Sequence, residues 1–95
     1  MDPELLWSLL RDLAKKMGVR VRLETLDGGE EWSSRGGLCR LGGGLVAFVD
    51  RRQDALGRAR QLARALKGLD LDGVYLRPAL RRFLAGLDGG QAEDD

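Results

Sequence analysis

The stretch Leu38-Cys39-Arg40-Leu41-Gly42-Gly43-Gly44-Leu45-Val46-Ala47-Phe48-Val49-Asp50 decides the fold. Two short apolar runs flank three glycines, and glycine adopts the positive φ angles that a tight turn between two antiparallel strands requires. Leu45 to Val49 is apolar at every position, the pattern of a strand covered on both faces. Upstream, Val19, Val21 and Leu23 alternate with Arg20, Arg22 and Glu24, which predicts a half-exposed third strand over Val19 to Leu26, lying near a sheet edge. Between these strands, Asp27 to Ser34 has glycines, acids and serines without a period and reads as a loop.

Helices are predicted on either side of the strands. Asp2-Pro3 is a good helix start, because the Asp side chain accepts orphan amide protons and Pro at the first position loses no hydrogen bond. Leu6, Leu9, Leu10, Leu13 and Met17 then recur at helical spacing, widened by Leu5 and Ala14, and Gly18 fits the left-handed stop. A second helix is expected from Asp54 to Lys67, with Leu56, Ala59, Leu62, Ala63 and Leu66 inward. Gly68 ends it, and Leu69 to Arg77 connects onward, with Val74, Tyr75 and Leu76 expected to pack back on the core. Pro78 opens a short third helix carrying Leu80, Phe83, Leu84 and Leu87. The expected fold is therefore α+β: an N-terminal helix, a three-stranded antiparallel meander, then two helices packed on the sheet. Residues 1–87 form one domain in this reading, and 88–95 a disordered acidic tail.

Composition excludes several chemistries. The 95 residues include no histidine, which removes the commonest general base and the commonest zinc ligand together. The single Cys39 makes no internal disulfide and reads as a small apolar strand residue in a reducing cytosol. No leader or membrane segment is expected, since Glu4, Ser8, Arg11 and Asp12 interrupt the first apolar stretch. Asp70-Leu71-Asp72-Gly73 starts like a calcium loop, but its twelfth position is Arg81 rather than a bidentate Glu. Gly36-Gly37 and Gly42-Gly43-Gly44 have neither phosphate-loop nor dinucleotide spacing. Neither a metal site, nor a cofactor, nor a catalytic set is expected. Asp12, Glu24, Glu30 and Glu31 are the acids considered for paired acid-base work, and a solvated surface is the preferred account of them.

Charge is polarised along the chain: residues 51–82 carry nine basic and three acidic groups, and residues 83–95 four acidic and no basic ones. Arg51, Arg52, Arg58, Arg60, Arg64, Arg77, Arg81 and Arg82 form the one cluster suited to anion or nucleic-acid contact. Trp32, an aromatic on a polar loop, is either tucked onto the core or offered to a partner. Trp7, on the flank of the first helix, is expected in the core.

From Gly36 to Leu66, the pattern of a short strand, a glycine turn, an apolar strand ending in Asp50-Arg51-Arg52 and a helix with Leu62-Ala63-Arg64-Ala65-Leu66-Lys67-Gly68 resembles the core of the ImmA/IrrE family of small zinc peptidases. That family's helix carries Ala-His-Glu-Leu-Gly-His. Ala63 and Leu66 match it, while Arg64 and Gly68 stand at the histidine positions and Ala65 at the glutamate. The resemblance implies a zincin-like scaffold without metal or peptidase activity. The chain as a whole also resembles small bacterial families known mainly from structural surveys, which carry no assigned activity. The expected function is a non-catalytic, cytoplasmic binding or self-association domain with a protein partner or homodimer, anion or nucleic-acid binding through Arg51 to Arg82 being the alternative.

Overall fold

The computed structural model describes residues 1–25 and 37–93, with side chains described through Leu87. Trp32, Glu30, Glu31 and the loop Asp27 to Ser34 lie outside the described residues. In chain order the elements are α1 (Pro3–Lys16), β1 (Val19–Glu24), β2 (Leu38–Leu41), β3 (Gly44–Asp50), α2 (Ala55–Lys67) and α3 (Pro78–Glu93).

Local signals set the helix ends. The Asp2 carboxylate accepts from the Leu5 amide at 3.0 Å and Asp54 does the same for Gly57 at 2.8 Å, each satisfying one orphan donor of a first turn. Gly18 takes φ +76° between α1 and β1. Between β2 and β3, Gly42 and Gly43 take φ +57° and +83°, consecutive positive angles of the kind a two-residue hairpin turn needs. The third helix continues to Glu93, well beyond the short segment ending at Leu87 that its apolar set suggested.

The sheet corrects the expected antiparallel meander. Its strand order is β1-β3-β2, and β1 runs parallel to β3, with Val19 beside Leu45 and Glu24 beside Asp50. Only β2 and β3 are antiparallel, with Leu38 beside Ala47 and Leu41 beside Gly44. Two physical reasons account for this. Residues 25–43 connect the parallel strands β1 and β3, more than the dozen or so that a parallel crossover needs, so β1 is not forced beside β2. Placing β1 beside β3 also brings α1, which precedes the one, against α2, which follows the other, and these two helices pack directly together.

The core lies between the sheet and the helices. Leu10, Leu62, Leu66 and Val49 are fully buried, joined by Leu6, Leu13, Ala47, Ala59, Ala63, Leu80 and Leu84. Trp7 is buried, as its place in α1 predicts. Two expectations fail: Leu5 is 46% exposed, because it precedes the stripe set by Leu6, Leu10 and Leu13, and Tyr75 is 78% exposed while Val74 and Leu76 turn inward around it.

Candidate functional site

The functional surface follows from strand order. With β3 in the middle, β1 and β2 each have one edge to which no described strand is paired. In an extended strand, the N–H and C=O of one residue point to one side and those of the next to the other. The Arg51 amide donates to the Glu24 carbonyl at 2.9 Å, so Glu24, Arg22 and Arg20 turn their backbone groups toward β3. Val19, Val21 and Leu23 consequently turn theirs outward. The last of these carbonyls, on Leu23, accepts from Arg51 Nη2 at 2.8 Å, which closes one end of the edge.

Beside this edge runs an open groove of about 830 Å³, floored and walled by Gly18 to Arg22 and by Ser8, Arg11, Asp12 and Lys15 of α1. The turn at Gly18 reverses the chain so that the outer face of α1 borders the strand. Arg11, Lys15, Arg20 and Arg22 give the groove four cations against the single carboxylate of Asp12. Arg22 is committed to Glu24 through a 2.8 Å ion pair and lies over Phe48, its guanidinium carbon 5.8 Å from the ring centre. Arg20 and Lys15 are exposed and have no ion pair among the described residues.

A second polar arrangement sits where the parallel strands end. Asp50, with a side chain 10% exposed, accepts from Arg52 through Nε at 3.1 Å, Nη2 at 2.9 Å and the backbone amide at 3.0 Å. The Asp50 amide, which extends beyond the end of β2, donates to Gln61 Oε1 of α2 at 2.8 Å. This constellation ties the strand end to α2 and holds the Arg51-Arg52 turn. Sequence reasoning passed over it, although an acid closing an apolar run with Arg two residues on is the signal that marks it.

The arginines expected to act together are dispersed in their tasks. Arg51 and Arg52 are engaged as described. Arg58 lies 5.3 Å from the Trp7 ring centre, donates to the Gln53 carbonyl at 2.8 Å, and has its Nε buried without a hydrogen-bond partner among the described residues. Arg11 also covers Trp7, at 5.7 Å. Arg60, Arg64, Arg77, Arg81 and Arg82 are exposed. Arg81 borders a smaller groove of about 390 Å³ with Asp70 and Asp72, and Asp70 accepts from the Asp72 amide at 2.9 Å, so this acidic pair builds a turn. Of the acids considered for paired chemistry, Asp12 borders the β1 groove and Glu24 pairs with Arg22. At the positions of the zinc motif, Arg64 is exposed, Ala65 is buried and Gly68 caps α2. No helix among the described residues is long and apolar enough to cross a membrane. No family model, no curated protein and no solved structure matches the chain.

Proposed function

We propose that this protein is a non-catalytic, cytosolic binding module whose working surface is the outer edge of β1, and that it takes an extended segment of a protein partner as a fourth strand. The observation that carries the reading is the outward alternation of Val19, Val21 and Leu23 along a groove large enough for a peptide. Strand addition draws its affinity from main-chain hydrogen bonds and its selectivity from the side chains that flank them. The zincin-like scaffold fits this role, since α2 uses the positions of Arg64, Ala65 and Gly68 for its solvent face, its core contact and its cap. Anion binding by the arginine cluster has less support, because Arg51, Arg52 and Arg58 are committed within the fold.

A displayed library of extended peptides tests the proposal. Selected peptides should shift the amide resonances of Val19 to Glu24, and Val21→Pro should abolish binding while circular dichroism stays native, because Pro is tolerated where a strand N–H faces outward. Selected peptides that map elsewhere, or that bind the Val21→Pro protein equally well, contradict it.

A further inference from the structure

Resting on the strand-addition reading, we infer that the segment received by β1 is acidic at alternate positions and comes from a different protein, not from a second copy of this chain. A strand added to this edge sets its residues in register with those of β1, and the side chains of directly opposed residues share a face at about 4.5–5.5 Å between Cβ atoms. Residues opposite Arg20 and Arg22 therefore fall on the face where both guanidinium groups stand. A carboxylate opposite Arg20 meets a cation with no ion pair among the described residues, and one two residues away, opposite Arg22, shares that guanidinium with Glu24. The residue between them turns to the other face, toward Val21 and the α1 wall, where Arg11 and Lys15 line the rim.

A second copy fits poorly for the same reason. In an antiparallel two-fold pairing centred on Val21, Arg20 of each copy opposes Arg22 of the other. Centred on Arg20, that residue opposes itself. The register centred on Arg22 sets Arg20 against Glu24, but it leaves Arg22 against its own image and draws Glu24 from the ion pair it already makes. Centred on Leu23, Arg22 opposes Glu24, but the Leu23 carbonyl that this register would use already accepts from Arg51 Nη2. Like charges directly opposed across strands are destabilising, and basic edge residues are a device by which natural sheets prevent self-pairing.

The test uses the full chain and three synthetic decapeptides: alternating glutamate and valine, alternating lysine and valine, and a peptide of the glutamate composition with its acids grouped at one end. The alternating glutamate peptide should shift the Val19 to Leu23 amides and bind at least tenfold more tightly than either control, with the advantage shrinking as salt shortens the screening length. The double variant Arg20→Glu, Arg22→Glu, which reverses both cations on the face that receives the acids, should transfer the preference to the lysine peptide. Equal binding of the glutamate and lysine peptides on β1 overturns the inference while leaving strand addition standing. Peptides that leave β1 unperturbed overturn both. Concentration-dependent shifts at Val19 to Leu23 without peptide, together with a dimer in sedimentation, overturn the choice of partner.

Discussion

Single residues at the end of β3 hold more of the structure than their polarity suggests. Gln61 serves the Asp50 amide at a point where β2 no longer reaches. A buried donor deprived of its acceptor costs about 1–3 kcal/mol, so Gln61→Ala should lower the denaturant midpoint by a corresponding amount, without changing the slope of the transition. Gly37 is a second such position. It has φ +69°, its carbonyl accepts from the Phe48 amide at 2.9 Å, and a Cβ there would lie 2.6 Å from the Phe48 carbonyl oxygen. That atom belongs to the central strand and has little freedom to retreat. Gly37→Ala should therefore destabilise by about 1–3 kcal/mol, the range for a strained backbone position, read as an earlier thermal transition. By contrast, the Arg22–Glu24 pair is exposed on both sides and contributes little to stability.

At the scale of elements, the helices were legible in the sequence because their starts, stripes and stops all agreed. Asp2, Asp54 and Pro78 open the three helices at the expected places, and the glycines before and after the strands turn the chain as expected. Asp54→Ala should cost about 1 kcal/mol through loss of the Gly57 bond, measurable by chemical denaturation. The direction of β1 was not legible. Alternation at Val19, Val21 and Leu23 fixes which face of a strand is inward, and it is silent on which neighbour the strand pairs with. The apolar run of β3 did point to a central strand. What decides between meander and crossover is the packing of α1 on α2, a contact between segments some 50 residues apart that no local pattern encodes. The site was legible in part for the same reason: Arg20 and Arg22 were visible as an alternating basic edge, whereas Lys15 and Arg11 join them only through the reversal at Gly18. Asp50 was visible as the end of the apolar run, whereas its tie to Gln61 joins it to a different element, α2.

Across the whole molecule, one continuous core unites the three helices with one face of the sheet. Leu62→Ala, at its centre and fully buried, should cost about 2–5 kcal/mol and weaken every element together in thermal unfolding. The β1 edge lies at the margin of that core, so its outward backbone groups can change partners without unpacking it. Native-state amide exchange of the isolated protein reads out this separation of stability from binding. The Arg22 and Glu24 amides, turned toward β3, should exchange slowly, and the Val21 and Leu23 amides, turned outward, should exchange orders of magnitude faster. Val21 and Leu23 protected as strongly as Arg22 and Glu24 would contradict the account, since the edge would then already be paired.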